Sequence, residues 1–402
     1  MADFGGEDLD GFRVEARTWL EDNFPKALAQ DPAAQMAAMG GGYESDDARL
    51  WRERMGAKGW GVPTWSATYG GGGLSRPQAR VLAEEMAKIG ARNPIGGMGV
   101  MMFGPTLLEY GTEALKRQHM PGIVNGSVRW CQGYSEPGSG SDLASLQTRC
   151  EDKGDHWLIN GQKIWTSYAN KADWCFCLVR TDTSKKHEGI SFVLIDMKSP
   201  GVETRPIQLI SGESPFCETF FTDVKIPKEN LVGQVNGGWQ IAKRLLQYER
   251  QNISGGFGPG ESAGGTSSDL GVMARNYVGT DETGALSDPD LRTRITRNKM
   301  DFDCFYKTIR RIEAEAKASN GPSAATSIIK YAVASFAQER SELVVEMMGS
   351  QGLGWTGEDY APQEIGAVRG WLRAKANSIE GGSSEVNLNV ISKRVLGLPD
   401  PA

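Results

Sequence analysis

Apolar positions change their period twice along the chain. In the first 128 residues they recur at helical spacing. Phe12, Ala16, Trp19 and Leu20 share one face of a helix predicted over Leu9 to Phe24. Further helices are predicted over Arg49 to Gly59 and Gln78 to Gly90, each stopping at a glycine as helix ends often do. From about residue 129 the pattern turns to short β-rich runs. Trp174 to Arg180, Gly189 to Met197, Val202 to Ile207 and Glu218 to Ile226 read as strands. Trp157-Leu-Ile, Asn160-Gly161 and Lys163-Ile-Trp read as a hairpin. No helical run separates these strands, which predicts an antiparallel sheet or barrel. After Pro227 the helical period returns over Gly238 to Ser254, Asp290 to Lys317, Ala324 to Met348 and Ser384 to Leu396. The last run stops at Gly397, just before Pro399. Residues 255–269 form a Gly/Ser-rich loop, and no internal repeat is visible. The pattern predicts an α+β multidomain chain: helical over 1–128, β over 129–233 and helical again over 234–402.

Composition narrows the function. A chain of 402 residues, 39% hydrophobic and 23% charged, suits a soluble enzyme with a large core. The net charge of −6 argues against nucleic acid as the main partner. A mean hydropathy of −0.39 and the lack of a long apolar run predict no membrane span. The acidic start, MADFGGEDLDGFR, carries no signal pattern, so the expected location is cytoplasmic. The six scattered cysteines do not form a disulfide framework. His119, His156 and His187 lack ligand spacing with cysteines, which argues against structural zinc.

Two motifs are decoys. Gly352-Leu-Gly354-Trp-Thr-Gly357 has dinucleotide-fingerprint spacing, but it follows a helical run where the fingerprint needs a strand. Gly260-Glu-Ser262-Ala-Gly264 has the spacing of a hydrolase elbow, yet no histidine follows it.

Four places carry candidate chemistry. On the helix from Gly238, steps of ~100° put Trp239, Ile241, Ala242, Leu245, Leu246, Tyr248 and Ile253 on one arc. Glu249 falls within that arc. A carboxylate there is paired, neutral or useful, and burial raises its pKa toward that of a general base. The run Gly133-Tyr-Ser135-Glu-Pro-Gly-Ser-Gly140-Ser141-Asp142 suits close approach to a polar, phosphate-bearing ligand. Trp165 beside hydroxyl donors suits stacking on a flat ring. Glu380-Gly-Gly-Ser-Ser-Glu385 is a small-residue turn at a helix N-terminus, a ready anion site.

Together, Tyr134-Ser-Glu-Pro-Gly-Ser-Gly-Ser-Asp142, Asn160-Gly-Gln-Lys-Ile-Trp165, Pro227-Lys-Glu-Asn-Leu-Val-Gly233, Gly370-Trp-Leu-Arg-Ala-Lys375, Gly381-Gly-Ser-Ser-Glu385 and Arg394-Val-Leu-Gly-Leu-Pro399 resemble the acyl-CoA dehydrogenase family. The resemblance implies an N-terminal helical domain, a central β-barrel and a C-terminal four-helix bundle. It implies FAD as cofactor, an acyl-CoA substrate oxidised to the trans-2-enoyl-CoA, and electron-transfer flavoprotein as acceptor. It implies a homotetramer or dimer, with a heteromer of two related subunits acting on dicarboxylic, branched or steroid side-chain acyl-CoAs as the alternative.

Residue by residue, 132–141 resembles the loop that binds flavin and substrate. Gln132, Tyr134, Ser135 and Gly140 match its cofactor side, and Ser141 its contact with both. Trp165, Thr166 and Ser167 match the segment against the isoalloxazine, and Ser383 and Glu385 the turn at the adenine end. The turn at 380–385 lacks the base that many members carry there, since Gly381 occupies that position. Glu249-Arg250 matches the helix-borne Glu-Arg pair of the long-chain and isovaleryl enzymes. This makes Glu249 the catalytic base, with Arg250 and Gly381 on the substrate. The family's Arg-x-x-Phe-Gly segment for FAD diphosphate is not visible, and Arg292, Arg294 and Arg297 are candidates to replace it. Rival readings are a same-fold flavin oxidase or monooxygenase, and a subunit that only completes a partner's FAD site.

Overall fold

The computed structural model describes residues 8–31, 34–35, 44–255, 269–318 and 326–399, with the backbone alone at 249–255, 313, 316–318 and 326. The chain divides into two compact units, one of residues 1–207 with 215–249, the other of 208–214 with 250–402.

The first unit begins with α1 (Leu9–Asn23), α2 (Asp46–Lys58) and α3 (Arg76–Lys88). Each has a side-chain cap that satisfies an otherwise orphaned N–H: Asp8, Ser45 and Ser75. Their apolar faces meet in a core of Phe12, Ala16, Leu20, Trp51, Trp60 and Leu82. Glu85 is 2% exposed in its side chain and receives Lys88, Arg17 and Arg13 at 2.6–3.0 Å. Two more helices follow, α4 (Gly104–Tyr110) and α5 (Glu113–Val124). Sequence period did not predict them. A π-helical turn at Gly99–Phe103 and Pro121 within α5 break the spacing that would announce them.

The sheet comprises β1 (Trp130–Gly133), β2 (Arg149–Asp152), β3 (His156–Ser167), β4 (Trp174–Arg180), β5 (Ile190–Asp196), β6 (Val202–Ile207), β7 (Phe216–Pro227) and β8 (Leu231–Val232). Their order is β6-β7-β3-β2-β4-β5-β8, with β1 on β4. The sheet is open, which corrects the expected barrel. Its end strands are β6, with Pro206 near its end, and β8, only two residues long, so neither offers a long row of pairing groups for closure. It is not wholly antiparallel either, since β1 runs parallel to β4.

The hairpin expected at Asn160-Gly161 is a bulge within one continuous strand. Gly161 has φ +155°, and the register with β7 shifts between Ile159 and Gly161. The Asn160 side chain accepts from the Asp223 N–H at 2.8 Å, which ties the bulge across to β7. The turn lies earlier, between β2 and β3, where the Lys153 N–H donates to the His156 carbonyl at 3.0 Å. Near-parallel rings of Phe103, Phe176 and Phe192 stack in the core, which continues onto α6 (Gly238–Gly255) through Ile241, Ala242 and Leu245.

The boundary between units falls within α6, between Glu249 and Arg250. The second unit contains α7 (Leu270–Tyr277), α8 (Pro289–Ala318), α9 (Thr326–Met347), α10 (Pro362–Ala374) and α11 (Ser384–Val390). Leu291, Ile295, Leu343, Val344, Met347 and Val368 form its main core. The decoy around Gly352 lies on the turn between α9 and α10. The hydrolase-like motif at 260–264 lies outside the described residues.

Candidate active site

The loop after β1 and the end of β3 lie together in the first unit. The Ile164 N–H donates to the Ser135 carbonyl at 2.9 Å. One position earlier, Lys163 points inward and is fully buried. Its ammonium donates to Glu136 Oε1 at 2.8 Å and to the Tyr134 carbonyl at 3.1 Å. The Glu136 carboxylate also accepts from the Gln147 and Thr148 N–H groups at 2.6 and 2.9 Å. Burial pushes the Glu136 carboxyl up. The Lys163 charge and these bonds outweigh it and hold the carboxyl below its ordinary value.

A second buried cation holds the far side of the loop. Arg180 is 5% exposed and donates to the carbonyls of Ala144, Leu146, Lys185 and Lys186 at 2.6–3.2 Å. Gln132 to Ser141 is thus fixed from both ends. Tyr134 is buried in the core, while Ser135 is half-buried and Gly140 and Ser141 are exposed. A Cβ at Gly138 or Gly140 would meet nothing within 4 Å, so that face is open.

Trp165 has φ +59° and is 52% exposed, its ring edge-on to Phe216 at 6.1 Å. A bulky residue in the left-handed region is a conformational outlier, worth about 1–3 kcal/mol of strain. Leaving a large indole in solvent adds to the anomaly. The cause is a second register shift, between Lys163 and Thr166, that rotates Trp165 out of the β3–β7 ladder. Thr166 is buried, and its hydroxyl has no partner among the described residues. Ser167 closes the strand opposite Phe216. No hydrogen bond engages the Ser135, Ser141 or Ser167 hydroxyls among the described residues. An exposed flat ring, ready hydroxyls and an open glycine face fit an aromatic, polar-edged cofactor such as flavin.

On α6, Ile241 and Leu245 are buried, and Glu249 continues their row at i+4 and i+8. The side chains of Glu249 and Arg250 lie outside the described residues. The preceding turn is held in phase by Glu109, which accepts from Arg244 Nε at 2.8 Å and the Tyr248 hydroxyl at 2.7 Å.

In the second unit, Ser383 caps α11 by accepting from the Val386 N–H at 3.3 Å. Glu385 lies in the first turn, its carboxyl held below its ordinary value by its own N–H and by Ser383. Gly381 and Gly382 have φ +61° and +91°. Glu380 is committed elsewhere, since its Oε2 accepts from Arg373 Nη2 at 2.7 Å. Of the three arginines on α8, Arg294 makes a two-pronged pair with Glu346 at 2.6 and 2.7 Å. Arg292 and Arg297 line a cavity of about 420 Å³ with Thr293 and Thr296.

Sequence reasoning did not assign roles to Glu136, the Lys163 ammonium or Arg180. Lys163 carried a usable signal: it shares the inward phase of β3 with Trp157 and Ile159.

The fold is that of a flavoprotein dehydrogenase. The chain matches the N-terminal, middle and C-terminal domain models of the acyl-CoA dehydrogenase family over residues 7–127, 131–224 and 236–396, and it belongs to that family. It is an oxidoreductase of the class acting on CH–CH groups. It is similar to acyl-CoA dehydrogenase IpdE1 of Mycobacterium tuberculosis, 35% identical over 98% of this chain and 99% of that protein. FadE34 of the same organism is 35% identical over 84% of this chain and 44% of its own length. Among solved structures, the steroid acyl-CoA dehydrogenase Tcur3481–Tcur3483 aligns over all of both chains at 26% identity and TM-score 0.74. The ChsE4–ChsE5 complex of M. tuberculosis does so at 26% and 0.72.

Proposed function

We propose that this chain binds FAD and α,β-dehydrogenates an acyl-CoA thioester to the trans-2-enoyl-CoA. The observation that carries the cofactor reading is Trp165, strained and exposed beside the anchored loop 132–141. Gln132, Tyr134, Ser135, Gly140, Ser141, Trp165, Thr166 and Ser167 would hold the flavin, and Ser383 and Glu385 the adenine end. When bound, FAD supplies the two-electron acceptor for the hydrogen leaving the β-carbon. Glu249 takes the α-proton. Its row on α6 continues buried Ile241 and Leu245, and an apolar face keeps a carboxylate basic. Ser141 and Arg250 orient the substrate, and the Gly381 N–H supports the thioester carbonyl as charge develops there.

The acyl group we propose is bulky, ring-derived or branched, as the steroid enzyme among the structural relatives suggests. Electron-transfer flavoprotein is the proposed acceptor. A heteromer of two related chains is favoured over a homotetramer, because one similar solved structure is the ChsE4–ChsE5 complex, another carries two protein names, and the family's FAD-diphosphate motif is not visible in the sequence. The test is anaerobic titration of the purified protein with a panel of acyl-CoAs. Bleaching of the flavin by steroid-derived or branched acyl-CoAs is expected. A folded protein that takes up no FAD would favour the partner-subunit role, and rapid reoxidation by oxygen would favour an oxidase.

A further inference from the structure

Where the apolar contacts of α6 run out, a polar clamp takes over. The helix is anchored in the core of the first unit through Ile241, Ala242 and Leu245, with Leu246 packed against the edge. Among the described residues, none of α6 beyond Leu246 joins that core. The first unit nevertheless runs on to Glu249. Glu109, near the end of α4, reaches across to this last stretch. Its Oε2 accepts from Arg244 Nε at 2.8 Å and from the Tyr248 hydroxyl at 2.7 Å. Arg244 and Tyr248 lie one turn apart on α6, so one oxygen ties two successive turns. The Arg244 guanidinium also covers the Tyr248 ring at 4.8 Å and donates from Nη1 to Gln247 at 3.0 Å. The clamp stands on a rigid element: Thr106 and Leu107 of α4 are fully buried, and Leu107 shares the core with Ile241 and Leu245.

Ionisation suits such a clamp. Burial pushes the Glu109 carboxyl up, but Arg244 and Tyr248 outweigh it and hold it below its ordinary value. Burial and Glu109 together push the Tyr248 phenol up. Near neutrality the carboxylate therefore stays an acceptor and the phenol a donor. Global stability is a poor reason for the arrangement. The side chains of Glu109 and Arg244 are each 37% exposed, and ion pairs so far in solvent contribute little. Position is a better reason. Tyr248 is joined by a peptide bond to Glu249, on a stretch with few packing contacts, and such stretches open locally at low cost. A catalytic group displaced by ~1 Å loses about a hundredfold in rate.

We infer that Glu109 is a positioning residue for the dehydrogenation: through Arg244 and Tyr248 it fixes the backbone of α6 that carries Glu249. The inference rests on the reading of Glu249 as the base. The test is single-turnover reduction of the flavin-loaded enzyme by an acyl-CoA that bleaches it, in Glu109→Ala, Tyr248→Phe, Glu249→Gln and the double variant Glu109→Ala/Glu249→Gln. Glu109→Ala should slow reduction at saturating acyl-CoA about tenfold, while the half-saturating concentration changes less than about twofold. Its melting temperature should stay within a few degrees of the parent, as loss of a half-exposed pair predicts. Tyr248→Phe keeps the ring, loses only the bond to Glu109 and should slow reduction in the same way. Glu113→Ala removes a carboxylate on α5 that likewise accepts from a tyrosine and a cation, Tyr69 and Lys116, and should leave the rate unchanged. The loss should vanish once the base is gone, so the double variant should be no slower than Glu249→Gln alone. A merely structural role would slow both backgrounds alike, and that result overturns the inference. Glu109→Ala at the parental rate beside a slow Glu249→Gln also overturns it and leaves the base standing. Glu249→Gln at the parental rate removes the base reading, and the positioning role goes with it.

Discussion

At the scale of single residues, Trp165 and Glu249 carry the sharpest expectations. Trp165 is half in solvent, so losing its ring removes little core packing. A glycine there also relieves the positive φ. Trp165→Gly is therefore expected to keep the melting temperature within a few degrees of the parent. It should nonetheless shift the visible flavin spectrum or its potential. An unchanged spectrum would move the flavin elsewhere. Glu249→Gln is nearly isosteric and should still bind FAD. Flavin reduction by acyl-CoA should fall at least about a hundredfold, the low end of what a general base contributes. Glu380→Gln should lose under about tenfold, because that carboxylate is engaged with Arg373 in a turn. Stopped-flow reduction of both variants decides between them, and a dead Glu380 variant beside an active Glu249 variant would falsify the assignment of the base.

At the scale of elements, the buried Lys163–Glu136 pair joins β3 to the loop after β1. Removing one partner strands the other charge, which typically costs 3–5 kcal/mol. Lys163→Met should lower stability by about that amount, measured by denaturant titration. It should also weaken FAD retention, since Tyr134 and Ser135 lose their anchor. The double variant Lys163→Met/Glu136→Leu should recover much of the stability. The elements themselves were largely legible in the sequence. β4 and β6 match their predicted ranges, because alternation and flanking turn residues agree there. The Asn160-Gly161 hairpin failed for a definite reason. That dipeptide also serves a bulge, and the long strand is decided by pairing with β7, whose partner residues lie some sixty positions away. The helical row of Glu249 was legible in the apolar period, which Ile241 and Leu245 keep as buried residues. Glu136 and Arg180 were not, because each works through carbonyls and N–H groups that only the folded loop assembles.

At the scale of the whole molecule, two buried groups set how the protein responds to acid. Burial between Trp130 and Trp174 pushes His119 down to about 4, well under its ordinary ~6.5. The native state then refuses a proton that the unfolded chain takes. Stability from this source is whole above ~6.5 and is lost as pH falls toward about 4. Glu85 is held at about 2 by Lys88, Arg17 and Arg13, so its contribution is whole above ~4.3 and is lost as pH falls from there toward about 2. Urea midpoints measured from pH 7.5 to 3 should fall in two successive stages. His119→Leu should flatten the first stage and Glu85→Gln the second, each without changing the other. The open sheet has a consequence of a different kind. A sheet with free ends is a template on which other chains can add strands, and β6 is one of those ends. Its sequence guards against this: Glu203 and Arg205 face outward and pair at 2.8 Å, Arg205 covers the Phe220 ring, and Pro206 withholds an N–H. Replacing Glu203 and Arg205 by valine should leave the fold intact yet make concentrated solutions cloud on warming, so that three residues remote from the chemistry govern how much of the protein stays usable.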